Sequence, residues 1–165
     1  MQTKEEWIKA LDLQPHPEGG YFKEMLQSPL HTTALDGQQK PLYSSIYFML
    51  TPESPSHFHQ LTSDEVWYYH AGAVLTVHVI SPDGQYYQYN LGNNPAKGQV
   101  LQALVPAGSI FGSTVEHGFA VVSCMVSPAF SYEDFKLFDQ STLLAKFPQH
   151  KAIINRLAYK EIPLQ

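Results

Sequence analysis

"SHFHQLTSDEVWYYHAG", residues 56 to 72, is the stretch whose reading decides the fold. It opens on His57-Phe58-His59, breaks at Thr62-Ser63-Asp64 and resumes from Glu65 to Tyr69 before closing on Gly72. Side chains alternate across a strand, so an extended segment puts His57 and His59 on one face. In the strand that follows, Glu65, Trp67 and Tyr69 share a face, and Val66, Tyr68 and His70 take the other. Pairing the two strands with these faces together builds a cavity wall of two imidazoles, a carboxylate and two large aromatics. Imidazole with carboxylate suits a divalent first-row metal that keeps open coordination positions. The same groups without metal form a general acid/base pair, because histidine titrates near neutrality and a neighbouring carboxylate holds its tautomer. A third reading is two hydrogen-bonded structural histidines on a half-buried strand.

Working outward, short strands run from about residue 20 to about residue 126: "YFKEML", "YSSIYFML", "VLTVHVI", "QYYQYNL", "QVLQALV" and "GFAVVSCMV" accompany the opening pair. Turn chemistry separates them, with Asp83-Gly84 as a hairpin signal and Pro106 and Gly108 framing a turn. Strands at this spacing with no helical pattern between them predict an antiparallel sandwich or barrel and not a parallel α/β sheet.

Helices flank this body. Thr3 and Glu6 form a capping box ahead of Trp7, Ile8 and Leu11, which predicts a helix over about residues 4 to 11. "DQSTLLAKF" and "QHKAIINRLAY", around Pro148, predict one or two helices packed on the β body over about residues 139 to 159. Between the first helix and the first strand, "PHPEGG" carries two prolines and two glycines and forces irregular backbone. It places His16, Glu18 and Tyr21 together, and Glu18 and Tyr21 are candidates for the pocket mouth. "FSYEDFKLFD" predicts a strand that covers a sheet edge or forms a dimer contact, and Lys23 and Glu24 a solvated pair.

The 165 residues fit one domain with one core, with no repeat or linker that marks a second. A net charge of −5, with the ten basic residues scattered, leaves no footprint for a phosphate backbone, so no nucleic-acid partner is expected. No apolar run approaches the roughly 20 residues that span a bilayer and no secretory segment is visible, so no membrane partner and a cytoplasmic location are expected. The single Cys124, in "FAVVSCMV", reads as a buried small residue with no disulfide or CxxC partner. His31, His70, His78, His117 and His150 read as surface or structural histidines.

The opening stretch resembles the first motif of the cupin superfamily, in which a strand pair supplies His-x-His, a Glu a few residues on and a Gly beyond it. His57, His59, Glu65 and Gly72 match. The second cupin motif is matched only at its start: Pro106 and Gly108 are present, but Phe111 stands at the position of its His and Val115 at that of its Asn. Five residues separate His59 from Glu65, more than in typical metal-binding cupins, which displaces Glu65 from the histidines by one face. The chain is more closely similar to a small group of uncharacterised cupins that share "HPEGGYF", "SDEVWYYHAG" and "VPAG".

The resemblance implies an all-β double-stranded β-helix, the cupin jelly-roll sandwich, over about residues 20 to 138, with a small-molecule pocket inside the barrel and a homodimeric assembly. Exposed sheet edges make such a dimer physically reasonable. Within that pocket His57 or His59 would act as base and Tyr69 as acid, as in metal-free cupins resembling deoxyhexose 3,5-epimerases, with Glu18, Tyr21, Glu65, Trp67 and Phe111 against the ligand. Loss of the fourth ligand at Phe111 favours this reading, and the lack of evident basic residues counts against a nucleotide sugar. The alternatives are a non-enzymatic small-ligand protein and a metal-dependent oxygenase or isomerase that holds a divalent metal through His57, His59 and Glu65. The cofactor is accordingly either none or one divalent metal.

Overall fold

The computed structural model describes residues 2–164. The chain begins with α1 (Lys4–Leu11), whose capping box forms as expected: the Thr3 hydroxyl accepts from the Glu6 amide at 3.2 Å and the Glu6 carboxylate accepts from the Thr3 amide at 2.8 Å. Thirteen strands follow: β1 (Gln14–Pro15), β2 (Tyr21–Gln27), β3 (His31–Thr33), β4 (Gln39–Pro41), β5 (Ser44–Leu50), β6 (Ser56–Gln60), β7 (Asp64–Gly72), β8 (Leu75–Ile80), β9 (Tyr86–Leu91), β10 (Gln102–Val105), β11 (Ile110–Val115), β12 (Ala120–Ser127) and β13 (Lys136–Leu137). Two helices, α2 (Gln140–Lys146) and α3 (Lys151–Leu157), complete the described chain.

The strands form two facing antiparallel sheets. One has the order β1-β2-β5-β12-β7-β10, the other β13-β6-β11-β8-β9, and β3 with β4 makes a separate hairpin. Between the sheets lies the main core, with Phe48, Trp67, Val77, Phe111 and Val122 among its buried members. The outer faces are covered as well. Under α1, Leu13, Met49 and Val121 pack with Trp7, Ile8 and Tyr21. Under α2 and α3, Phe58, Ile80 and Phe138 meet Leu143, Ile154 and Leu157. Burial on both faces explains why "YFML" and "AVVSCMV" read as apolar runs and not as strict alternation.

Two segments differ from expectation. "HTTALDGQQKP", which contains none of the expected strands, forms the β3–β4 hairpin, with Asp36 Oδ1 accepting from the Gln38 amide at 3.0 Å to close its Asp-Gly turn. "FSYEDFKLFD" contains a short 3-10 turn, Tyr132–Asp134, and only the two-residue β13, which covers the edge of the second sheet beside β6. Buried Lys40 of β4 pairs with Asp134 and ties these two segments together.

One irregularity decides the site. Along the β6–β11 ladder Phe111 is opposite His59 and Ser113 is opposite Ser56, so His57 and Phe58 together face the single residue Gly112. This bulge adds a residue to β6 and breaks the side-chain alternation. Ser56 and His59 therefore point between the sheets, and Phe58 points outward among the helix contacts. Gly112 is required there: a Cβ would come within 2.5 Å of the Ser56 carbonyl oxygen and 2.9 Å of a Leu157 methyl. A second bulge lies where Tyr69 faces Val122 and Ala71 faces Val121, which leaves His70 as the extra residue of β7.

Candidate functional site

A cavity of about 300 Å³ lies between the sheets. Its polar wall is His16, Glu18, His59, Glu65 and Cys124, and its apolar wall includes Phe22, Ile46, Leu61, Val126 and Phe130. Exposed residues of β2, Glu24 to Gln27, form the rim. No lysine or arginine is part of the lining.

Glu18 enters from the loop between β1 and β2. That loop folds tightly, with the Gly19 amide donating to the His16 carbonyl at 2.9 Å and the His16 amide to the Gly20 carbonyl at 3.0 Å. Gly19 has φ +103, and a Cβ there would lie 1.8 Å from the Pro55 carbonyl oxygen, so only glycine lets the loop press against the start of β6. The Glu18 carbonyl accepts twice from His57, from its amide at 2.7 Å and from its Nδ1–H at 2.7 Å. The His57 ring stacks on Tyr159 at 3.7 Å between centroids, and the Tyr159 hydroxyl donates to the Pro17 carbonyl at 3.0 Å. His57 thus clamps the loop from outside the cavity.

The hydrogen bonds assign the imidazole tautomers. His59 Nδ1 lies 2.8 Å from the His57 carbonyl oxygen, which can only accept, so Nδ1 carries the proton and Nε2 presents a lone pair. That Nε2 is 3.3 Å from Glu18 Oε2. His16 is the reverse: its Nδ1 accepts from the Glu18 amide at 3.2 Å and lies 3.5 Å from the same Oε2. The other carboxyl oxygen, Oε1, accepts from the Ser56 hydroxyl at 2.7 Å.

Burial sets the charges. It pushes His59 down to about 3 and His16 down to about 4. Burial, reinforced by the nearby Glu65 charge and opposed by the Ser56 hydrogen bond, holds Glu18 well above the ordinary carboxylate range. Glu18 is therefore protonated and His59 neutral, with Glu18 Oε2 3.3 Å from the unprotonated Nε2. Burial raises Glu65 to about 7, a hydrogen bond from the Cys124 thiol opposing it, and the thiol itself is pushed well up, by burial first and then by the Glu65 charge. Such displaced values in one enclosed space are what acid/base chemistry requires.

Of the sequence candidates, Glu18, His59 and Glu65 line this cavity. Glu65 faces inward with His59 despite its spacing, because the additional residue falls in the turn before β7 and leaves the strand register intact. The expectation that His57 and His59 share a face is corrected by the β6 bulge, which turns His57 onto Tyr159. Tyr21 lies on the opposite face of its sheet, in the cluster under α1. Trp67 is fully buried in the core, and Phe111 packs behind His59 with ring centroids 4.2 Å apart. Tyr69 donates its hydroxyl to the Gly72 carbonyl at 2.6 Å and is not part of the cavity lining. Two lining groups, His16 and Cys124, were not selected from the sequence; His16 sits in the same "HPEGG" signal that drew attention to Glu18.

The metal centre that the His-x-His motif implies does not fit these residues. His57 is turned away onto Tyr159 and Phe111 cannot ligate, which leaves only His59 and Glu65 of the motif on the cavity wall. Among the described residues no group of three or more His, Cys, Asp or Glu side chains is placed to hold a metal ion. Among them, too, no helix is long and apolar enough to cross a membrane.

Two facing antiparallel sheets around an enclosed pocket, with the His-x-His strand and the following Glu on its wall, define a cupin jelly roll. The particular family follows from the sequence: the chain belongs to the Cupin superfamily (DUF985) family, whose model matches residues 5–138. The uncharacterized protein YML079W of Saccharomyces cerevisiae is 31% identical over 147 residues, covering 77% of this chain and 71% of that protein. A hypothetical protein from Leishmania major has a solved structure with a TM-score of 0.92 and 44% identity over 96% of this chain and 99% of that one. Protein SO0799 of Shewanella oneidensis gives a TM-score of 0.90 and 47% identity over 98% and 100% of the two chains.

Proposed function

We propose that this protein binds a small carbonyl compound in the cavity and shifts a proton on it, in the manner of an isomerase or epimerase, using its own side chains. The observation that carries the reading is the Glu18 Oε2 to His59 Nε2 contact of 3.3 Å, which sets a buried carboxyl against a buried imidazole in the cavity that Glu65 also lines.

The roles follow from the protonation states. Glu65, held at about 7, is ionised often enough at neutral pH to take the proton from the carbon next to the carbonyl. Glu18, kept protonated, donates to the carbonyl oxygen as it gains negative charge. The enol takes that proton back to carbon from Glu65 and returns the other to Glu18, whose Oε2 lies against His59 Nε2 when no substrate is bound. Return to the same carbon from the other side gives an epimer; return to the neighbouring carbon gives an isomer. Glu18 thus takes the acid role assigned to Tyr69 from the sequence. The absence of Lys and Arg from the lining argues against nucleotide and phosphate substrates.

The test is a proton NMR screen in heavy water over neutral and cationic keto-sugars and hydroxy ketones. At least one class is expected to lose its α-proton signal at about 10²-fold or more above the buffer rate. Compounds that bind yet exchange no proton would remove the catalytic reading and leave a small-ligand binding protein.

A further inference from the structure

We propose that the cavity selects an organic ammonium ion, a ligand whose positive nitrogen rests between Glu65, Glu24 and the aromatic faces of Phe22 and Phe130. This names the ligand class of the cavity considered above, but it concerns binding alone and stands or falls separately from proton transfer.

Three features of the wall converge on a cation. Its carboxyl groups, Glu18 and Glu65 inside and Glu24 at the rim, have no lysine or arginine among them, and burial holds the two lining histidines, His16 and His59, neutral, so nothing balances a bound anion. Glu65 is only 6% exposed, and among the described residues no basic nitrogen forms an ion pair with it; its hydrogen bond comes from a thiol, a weak donor. Buried carboxylates are otherwise paired, because an isolated one is costly to desolvate. Without a ligand Glu65 reduces that cost by taking up a proton near pH 7, and a bound cation would stabilise its ionised form instead.

The aromatic groups complete the arrangement. Phe22 and Phe130 line the same cavity as the carboxyl groups, at 4.7 Å and 6.3 Å from the His16 ring and steeply inclined to it. Ring faces attract ammonium groups, most strongly where water is excluded. A cation next to Glu65 would also hold that carboxylate ionised, in reach of the carbon that bears the nitrogen. A neutral ligand could hydrogen-bond the carboxylate and pack on the rings but would gain no charge attraction from either.

The probes are choline, its neutral isosteric carbon analogue dimethylbutanol and the matching carboxylate dimethylbutanoate, titrated by NMR or calorimetry. Choline keeps its charge at every pH, so any pH effect belongs to the protein. At pH 8 choline is expected to bind about tenfold or more tightly than dimethylbutanol, and dimethylbutanoate not to bind. Between pH 8 and pH 6 choline affinity is expected to fall about tenfold as free Glu65 takes up a proton near 7. The titratable groups that line the cavity with Glu65 are Glu18, Cys124, His16, His59 and Glu24; both histidines and the thiol keep their neutral forms over this range, and Glu18→Gln removes the remaining buried carboxyl from the pH profile.

Glu65→Gln is expected to lower choline affinity about tenfold and abolish its pH dependence, and Glu24→Gln, an exposed change, to lower it about two- to threefold. Should Glu65→Gln fail to fold in a thermal melt, the Glu24 variant and the wild-type pH profile decide. The inference is overturned if dimethylbutanol or dimethylbutanoate binds within about threefold of choline, or if choline shows no saturation by about 10 mM. Choline binding alongside a heavy-water screen without exchange would leave this inference in place and remove the proton-transfer reading.

Discussion

Glu18→Gln is expected to slow proton transfer about 10²- to 10⁴-fold on the substrate that the heavy-water screen returns, without loss of the fold. Glutamine keeps the length of the side chain and can still accept from the Ser56 hydroxyl, which lies 2.7 Å from Oε1. Its amide can still donate a hydrogen bond to His59 Nε2, but it has no acidic proton to transfer to a carbonyl oxygen. His57→Phe makes the informative contrast. Phenylalanine keeps the stack on Tyr159 and loses only the ring donor to the Glu18 carbonyl, so the rate is expected to fall less than about tenfold. If Glu18→Gln turned over within about threefold of the parent, the carboxyl would have no part in chemistry.

The second large effect concerns stability. Phe58→Ala is expected to cost about 3–5 kcal/mol, because the ring is fully buried and its removal leaves a cavity between the second sheet and the C-terminal helices. For a chain of this size that corresponds to a fall of roughly 6–20 °C in Tm. Urea unfolding followed by circular dichroism measures it directly. A loss below about 1 kcal/mol would mean that Phe58 does not face Leu143, Ile154 and Leu157, and with that the bulge that turns His57 outward would be in doubt.

The sequence and the structure agree where local chemistry decides. The Thr3 and Glu6 capping box, the Asp83-Gly84 turn and the flanking C-terminal helices all depend on neighbours a few residues apart, and each forms where expected. The opening pair was misread at His57 because alternation holds only while strand register is regular. The warning was Gly112, a glycine inside "SIFGSTV", which marks a bulge or a close backbone approach. Nothing local to "SHFHQ" carries that information, since the second residue set of the bulge lies on β11.

Tyr69 shows a different limit. It follows Glu65 by four residues on one strand, a distance of about 13 Å along its axis, so sharing a face does not place both side chains in one pocket. The acid that replaces it, Glu18, was visible as a pocket candidate in "PEGG", but its pairing with His59 joins residues 41 positions apart (59 − 18) and appears only when the loop docks on β6. Cys124 reads as core from its apolar surroundings. It lines the cavity because β12 and β7 bring it opposite Trp67 and next to Glu65.

The account depends most on the state of one imidazole, and NMR of ring-labelled protein reads it. His59 is assigned by the signals lost in His59→Gln and followed from neutral pH into acid. The expected result is a neutral ring protonated on Nδ1, with no titration until well below pH 5, because burial holds it down at about 3. A His59 that titrates near its ordinary 6.5, or that carries its neutral proton on Nε2, would contradict a protonated Glu18 set against an unprotonated Nε2.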